Sequence, residues 1–329
     1  MTINICSRKE RKKMGDFKVG SLTAAEGTKV QDYLEVPGTP VKMPITLING
    51  CKPGKTVVIT GGTHGGEYPG VETSIRLAKN IDPQEVSGRI AIVHPVNVPA
   101  FTAKLQYVGP YDGKNLNREY PGLATGTVTQ RIAYTISSLL FTQADFYMDL
   151  HGGDIHESLT PFVIYSKLGN EEQTALAIEG AKALGVKYVC GSVSDTGTFG
   201  CAATMGVPGW LGEIGNCGLW SEEEVETYMN GVYNVLRLLK VLPGEVVENK
   251  EYLMVDHMEG LNAEHTGCWY PCVKIDDPIK KGQKVGEIRD YFGNLLGEYF
   301  SPCTGHMLYV ISSLPINEGD PIIAVSYEE

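Results

Sequence analysis

Two histidines and one glutamate, far apart along the chain, have the residue types of a catalytic zinc site. His64 and Glu67 lie in the segment GGTHGGEYPG, and His151 lies in FYMDLHGGD. Two residues three positions apart at the start of a helix can direct both side chains toward one point. Imidazole nitrogen and carboxylate oxygen suit zinc, and three protein ligands leave a fourth tetrahedral position open, as in catalytic sites. We therefore predict that these residues bind one Zn²⁺ ion per chain.

Each of the three residues also has a simpler explanation when taken alone. His64 can belong to a turn, Glu67 to a helix start and His151 to the end of a strand. Their joint placement after predicted strands, each beside glycines that allow close backbone approach, favours a shared site. His156, five residues after His151, is a weaker ligand candidate because His151 ends its strand directly.

Two further segments carry groups for binding an anion and for moving a proton. Asn117 and Arg118 lie in YDGKNLNREYPG, and the planar fork of an arginine matches a carboxylate with two hydrogen bonds. Glu213 lies in the apolar, glycine-rich segment VPGWLGEIGNCG. Such a carboxyl is either a loop residue or a buried group with a raised pKa, and a raised pKa suits a general base near neutrality. An Arg118 paired only with its neighbour Glu119 is the alternative reading of the first segment.

These residues follow a repeated pattern of short apolar strands and amphipathic helices. Extended segments at 30–36 and 42–48 precede a β-branched run at 55–60, which leads through glycines into a helix at 67–81. Further strands at 89–96, 144–151 and 187–193 alternate with helices at 129–141, 171–185 and 221–242. This alternation predicts an α/β fold with a largely parallel sheet covered on both faces. Ligands bind such sheets at the carboxyl ends of the strands.

Beyond about residue 243 the chain changes to short extended runs broken by Gly, Pro, Asn and Asp, which predicts a small antiparallel β domain. We therefore expect a catalytic domain at 1–243, with N-terminal β segments in 1–50, and a β domain at 244–329. The segment IKKGQKVGEI is similar to half of a biotinyl or lipoyl barrel, but no motif presents a lysine for covalent cofactor attachment.

Composition limits the possible partners and location. Among 329 residues the acidic excess gives a net charge of −11, which disfavours nucleic acid as a partner. No run of about 18 apolar residues predicts a membrane span, and the basic N-terminal run lacks the apolar stretch of a signal peptide. Eight scattered cysteines favour reduced thiols. We expect a cytoplasmic protein that acts on a small molecule, with homo-oligomerisation left open.

Four motifs, in their order and separation, resemble one known family. GGTHGGEYPG, NLNREYPG, DLHGG and GEIG are similar to those of the succinylglutamate desuccinylase and aspartoacylase family of zinc deacylases. The likeness runs from about residue 55 to 217 and, more loosely, through DPIKKGQKVGEIRDYFGN and SPCTGHM, which are similar to the β domain of the bacterial predicted-deacylase branch. It implies a carboxypeptidase-like, mostly parallel or mixed sheet flanked by helices, with a small C-terminal all-β domain.

The resemblance also implies an activity, hydrolysis of the amide bond of an N-acyl amino acid or a similar small carboxylate-bearing amide. It also implies roles for six residues. His64, Glu67 and His151 would bind zinc, Asn117 and Arg118 would hold the substrate carboxylate, and Glu213 would act as general base and acid. A zinc carboxypeptidase acting on peptides and a non-catalytic, zinc-retaining binder are the alternatives.

The chain departs from the family pattern at two positions. Members commonly carry an arginine before the Asn-Arg motif that polarises the scissile carbonyl, whereas this chain offers Gln106, a neutral donor that stabilises an oxyanion less. Some members have an aspartate three residues before the arginine, where this chain has Asn115. We expect the Asn115 oxygen to accept a hydrogen bond from the ring N–H of a zinc-binding histidine, while raising the basicity of that histidine less than a carboxylate does.

A second zinc site is also conceivable near the C-terminus, because cysteine and histidine recur there with a metal-like spacing. Its candidates would be Cys268, Cys272, Cys303 and His306. An extended segment would hold the first two sulfurs too far apart to chelate together without a tight turn. We therefore do not expect this site.

Overall fold

A computed structural model describes residues 15–327 of the chain. Most of the basic N-terminal run, and Cys6, lie outside these residues. Strands are numbered along the chain, and the first eleven are β1 (Phe17–Val19), β2 (Leu22–Ala24), β3 (Thr28–Glu35), β4 (Lys42–Asn49), β5 (Lys52–Gly61), β6 (Ser87–Val93), β7 (Phe146–His151), β8 (Glu157–Leu159), β9 (Phe162–Ser166), β10 (Tyr188–Ser192) and β11 (Gly209–Glu213).

The helices alternate with these strands, and four of the six α-helices within residues 15–327 lie where the sequence pattern predicts them. They are α1 (Tyr68–Asn80), α2 (Val98–Ala103), α3 (Val128–Leu139), α4 (Glu171–Ala183), α5 (Gly197–Thr204) and α6 (Glu222–Leu238), with two short 3₁₀ helices at Leu116–Arg118 and Phe141–Gln143. The later strands are β12 (Leu253–Val255), β13 (Met258–Asn262), β14 (Gly267–Pro271), β15 (Pro278–Ile279), β16 (Lys284–Arg289), β17 (Leu295–Phe300), β18 (Gly305–Ile311), β19 (Pro315–Ile316) and β20 (Pro321–Ser326).

Nine strands form the large central sheet, in the spatial order β12-β10-β9-β11-β7-β5-β6-β4-β3. Strands β11, β7, β5 and β6 run parallel to one another, and so do β9, β10 and β12. Strand β9 is antiparallel to β11, and β4 is antiparallel to both β3 and β6. The predicted α/β fold with a mostly parallel or mixed sheet is confirmed, in its mixed form.

Alternating side chains of the central strands build a core on each face of the sheet. Val57 and Ile59 of β5 pack with Leu77 of α1 in one cluster, and Val58 packs with Ile132 of α3 in the other. Successive strand residues point to opposite faces. A strand that is apolar at every position therefore needs helices on both sides, which is the arrangement observed.

Capping side chains set where α4 and α6 begin. Ser221 accepts a hydrogen bond from the backbone of Glu224, whose side chain bonds back to Ser221, and Asn170 with Gln173 does the same for α4. Acidic residues fill the first turn of α6 and Arg237 lies in its last turn. Both placements favour the helix dipole. Such reciprocal caps satisfy amide groups that the helix itself leaves unpaired.

The C-terminal part contains antiparallel sheets with their own apolar cluster, which includes Trp269, Ile288 and Val325. One sheet has the order β13-β20-β18-β15, and the other has the order β17-β16-β14-β19. Two strand pairings within the described residues cross the predicted boundary at residue 243: β12 pairs with β10 of the large sheet, and β8 pairs with β18. The two-domain division and the biotinyl or lipoyl-like barrel stay predictions. No helix within residues 15–327 is long and apolar enough to cross a membrane.

Candidate active site

Three neighbouring parallel strands end at one edge of the large sheet, and the predicted site residues follow or close them. Strand β7 ends at His151 and β11 ends at Glu213, and the strand register pairs these two residues. The loop after β5 carries His64, and Glu67 lies at the start of α1. Because parallel strands place their carboxyl ends together, residues distant in sequence meet here.

His64, Glu67 and His151 converge in a buried cluster. The Nδ1 atom of His64 lies 2.6 Å from Glu67 Oε1, and the Nδ1 atom of His151 lies 2.9 Å from Glu67 Oε2. Their possible ligand atoms all lie within 4.8 Å of one another. Within residues 15–327, no other group of three or more His, Cys, Asp or Glu side chains is arranged to hold a metal ion.

The outer nitrogen of each imidazole is held by an oxygen. His64 Nε2 lies 3.0 Å from Asn115 Oδ1, and His151 Nε2 lies 2.8 Å from Asp149 Oδ2. Asn115 Oδ1 also accepts the Asn117 backbone N–H at 2.9 Å, which identifies this atom as the amide oxygen. Both Nε2 atoms therefore carry the ring hydrogen and donate a hydrogen bond to these oxygens. In the neutral imidazoles each Nδ1 then directs a lone pair at the Glu67 carboxylate.

Lone pairs that face a carboxylate repel it unless positive charge lies between them. Glu67 Oε2 is buried, and although His151 Nδ1 lies 2.9 Å from it, this oxygen accepts no well-formed hydrogen bond from the described part of the chain. Burial acts to lower the pKa of His151, but the Glu67 and Asp149 carboxylates outweigh it and raise this pKa well above its ordinary value. Burial opposes ionisation of Glu67, yet the two imidazoles lower its pKa to about 2. The surroundings therefore favour positive charge at this point, and the donor set fits a divalent ion such as zinc.

Asp149 is part of this site, although the sequence reasoning did not single it out. Its buried carboxylate accepts hydrogen bonds from the hydroxyls of Thr60, Thr63 and Thr198 as well as from His151. Burial acts to raise the pKa of Asp149, but His151 and these hydroxyls lower it. Alternation along the strand offered a signal, because residues two apart on a strand share a face. An acid two positions before a candidate ligand histidine can therefore support it.

Glu213 lies partly buried beside the cluster, at the end of β11. Burial, reinforced by the carboxylates of Glu67 and Glu157, raises the pKa of Glu213 well above its ordinary value, against the opposing effect of His151. No lysine or arginine of the described residues forms a salt bridge with Glu213. This carboxyl is thus adjacent to the cluster without serving as one of its three donors.

The Asn-Arg motif lies next to His64 because a 3₁₀ helix carries it there. Asn117 is buried, and its Oδ1 accepts the backbone N–H of Thr198 at 2.9 Å, where α5 begins. Arg118 is exposed, and its Nη1 donates to the Asn117 carbonyl at 3.1 Å. Arg118 forms no salt bridge within residues 15–327. Its guanidinium group therefore keeps most of its donors available.

Gln106 and His156 are not among the three clustered donors. Both line a cavity of about 320 Å³ together with residues of the C-terminal part, among them Ile311 and Pro315. Tyr107 lines the same cavity, and its ring centroid lies 5.6 Å from that of His64. The C-terminal cysteines and His306 are not among the residues grouped as a metal site.

Comparison with known proteins identifies the family. A sequence model of the succinylglutamate desuccinylase/aspartoacylase catalytic domain matches residues 53–239. A curated relative, N-alpha-acetyl-L-2,4-diaminobutyric acid deacetylase from Halomonas elongata, is 30% identical over 87% of this chain and 86% of its own. The chain belongs to the succinylglutamate desuccinylase/aspartoacylase family.

Solved structures of this family have the same fold. The product-bound ectoine utilization protein EutE (DoeB) from Ruegeria pomeroyi superposes with a TM-score of 0.83 at 26% identity, covering 91% of this chain and 95% of the other. A succinylglutamate desuccinylase/aspartoacylase from Rhodobacter sphaeroides gives a TM-score of 0.82 at 26% identity, with 92% and 96% covered. The likeness therefore includes the C-terminal sheets, and the names of these relatives support amide hydrolysis as the type of reaction.

Proposed function

We propose that this family member is a zinc-dependent deacylase that cleaves the amide bond of an N-acyl amino acid or a similar small amide bearing a carboxylate. The observation that carries the proposal is the pair of Nδ1 atoms, each backed by an oxygen at Nε2 and each directed at Glu67. This arrangement orients imidazoles for a metal. The name of the Halomonas relative makes an N-acetylated amino acid the first substrate to test.

Each group of the site has a separate role in this proposal. His64, Glu67 and His151 hold the zinc ion. When bound, zinc lowers the pKa of a water toward about 7 and polarises the scissile carbonyl. The carboxyl of Glu213 takes the proton of the attacking water and then delivers it to the nitrogen of the leaving amine. A C–O bond forms, the C–N bond breaks, and the products are a carboxylate and an amine.

The neighbouring loops supply substrate contacts in the same proposal. The free donors of Arg118, together with the Asn117 amide, bind the substrate carboxylate, which gives an acidic chain a local cation for an anion. Gln106 assists the carbonyl oxygen as a neutral donor. In this proposal the substrate extends toward the cavity that Gln106 lines together with residues of the C-terminal part.

The test combines metal analysis with a substrate panel. We expect one zinc per chain, hydrolysis of at least one of the acetyl, succinyl or longer acyl amino acids, loss of activity on chelation, and recovery when zinc returns. Glu213→Gln should keep its zinc and lose at least about 100-fold in kcat. The matched control Glu226→Gln, at an exposed position of α6, should stay within about twofold. Full activity in metal-free protein would refute the zinc mechanism, and a Glu213→Gln loss below tenfold would refute the base.

A further inference from the structure

Tyr107, in the loop before the Asn-Arg motif, has an unusual backbone conformation. Its φ is +57°, and the N–H of Val108 donates to the carbonyl of Gln106 at 2.6 Å. A three-residue turn with positive φ at its centre is rare and strained for a residue with a bulky side chain. Such a conformation persists only where the surroundings fix it.

The contacts of Tyr107 show what fixes it. The ring meets the His64 imidazole edge to face, with centroids 5.6 Å apart and planes at 79°. The backbone N–H donates to Asp154 Oδ2 at 3.0 Å, and the hydroxyl donates to Glu157 Oε1. The backbone N–H and the hydroxyl of Tyr107 are thus both held by carboxylates, and its ring lies against the His64 imidazole.

The two carboxylates are themselves fixed beside the turn that carries His64 and Glu67. Asp154 is buried, and its backbone N–H donates to Glu157 Oε2 at 2.9 Å. Asp154 Oδ1 lies so close to Gly66 that a Cβ atom there would come within 1.8 Å of it. The contact requires glycine between the two proposed ligands and fixes where Asp154 can lie.

Strand β18 of the C-terminal part holds Glu157 from one side. Glu157 pairs with Ile311 in the register of β8 with β18, and Ser312 N–H donates to the His156 carbonyl at 2.7 Å. On the other side, Cys217 N–H donates to the Glu157 carbonyl at 2.8 Å, four residues beyond Glu213. The segment that follows His151 is therefore clamped between the C-terminal part and the loop after β11.

We propose that Tyr107 is a positioning residue for His64, held in place by Glu157, and that β18 fixes this pair. The proposal rests on the proposed function, in which His64 binds zinc. The ring of Tyr107 packs against the His64 imidazole, whose Nε2 is held by Asn115. A loose Tyr107 would let the ring of His64 rotate, which would weaken zinc binding before any substrate is present.

The direct test measures zinc affinity in the full-length chain by competition with a chromophoric chelator. Tyr107→Phe keeps the ring and removes the hydroxyl donor, and it should raise the zinc dissociation constant by about tenfold, the lower range for groups that orient metal ligands. It should lower kcat by a similar factor and leave KM within about threefold. Tyr111→Phe is the matched control, because Tyr111 is exposed in the same loop, and it should leave zinc affinity unchanged.

A double-mutant cycle tests the partnership with Glu157. Glu157→Leu should weaken zinc binding as Tyr107→Phe does, and combining the two should add little, because both remove one interaction. Glu157→Gln keeps an acceptor for the hydroxyl and should restore affinity to within about threefold of the unaltered chain. Zinc affinity in Tyr107→Phe equal to that in Tyr111→Phe, or fully additive losses in the double variant, would overturn the inference. An unaltered chain that binds no zinc would instead refute the proposed function on which it rests.

Discussion

The two imidazoles of the candidate site differ in the groups behind them. A charged carboxylate backs His151 through Asp149, whereas a neutral amide backs His64 through Asn115. A carboxylate partner raises the basicity of a ligand histidine more than an amide does, and it also fixes the tautomer. At the scale of single residues, His151 should therefore be the stronger of the two proposed histidine ligands, and Asp149 the outer residue on which metal binding depends most.

Replacing the Asp149 carboxylate tests whether metal binding depends on it. Asp149→Asn keeps the size of the side chain but removes its charge, and we expect zinc affinity to fall by about 10- to 100-fold. Asp145→Asn is the control, since Asp145 is exposed just before the same strand and accepts only the Thr56 backbone N–H. Titration with zinc, measured for both variants, decides the matter. An Asp149→Asn affinity no weaker than that of Asp145→Asn would show that this carboxylate does not support the metal ligand.

The sequence identifies the three proposed metal ligands better than the residues that support them. His64, Glu67 and His151 stand out because glycines and predicted strand ends surround them, and the structure places all three together. Tyr107 could not be found this way, because its positive φ and its contacts arise only when three loops meet. A tyrosine between Gln106 and Val108 carries no local signal that it faces His64.

At the scale of elements, the sequence predicts the helices whose apolar residues recur with a strong helical period, and it misses elements without such a period. The helices at 67–81 and 171–185 agree with α1 and α4 to within about two residues. The predicted helix at 221–242 begins one residue early and continues past Leu238, where α6 ends. Helix α5 was not predicted, because its eight residues, Gly197–Thr204, are mostly small, are almost wholly buried and show no amphipathic pattern. Strand β8 has three residues and forms only by pairing with β18.

The start of α6 offers a stability test at this scale. Ser221→Ala removes the side chain that accepts the Glu224 N–H, and we expect the free energy of unfolding to fall by about 1 kcal/mol. The control is Ser138→Ala within α3, where the hydroxyl only bonds back to the Tyr134 carbonyl. Alanine favours helix interiors, so that change should be neutral or slightly stabilising. Urea denaturation of the three proteins measures the difference, and equal midpoints would contradict the cap.

At the scale of the whole molecule, the C-terminal part contributes to the surroundings of the candidate site. Strand β18 pairs with β8, and residues between 311 and 321 line a cavity together with Gln106 and His156. The sequence predicts antiparallel strands in this part but not these contacts. The pairing of β8 with β18 joins segments about 150 residues apart and leaves no local sequence pattern. In the proposed function, the segment 311–321 lies beside the substrate and limits how far it can extend.

The position of segment 311–321 leads to a prediction that separates a deacylase from a carboxypeptidase, which would use the same zinc and base. For one amino acid X, we expect acetyl-X to be hydrolysed with a kcat/KM at least about 100-fold above that for release of X from acetyl-Ala-Ala-X. A cavity of about 320 Å³ suits a small molecule, and two added residues would have to pass the segment 311–321. Mass spectrometry of the products identifies the bond that is cut, and 2,4-diaminobutyric acid is the first choice for X because of the Halomonas relative. Comparable rates for both compounds would show that the C-terminal part leaves the cleft open and would favour the peptidase.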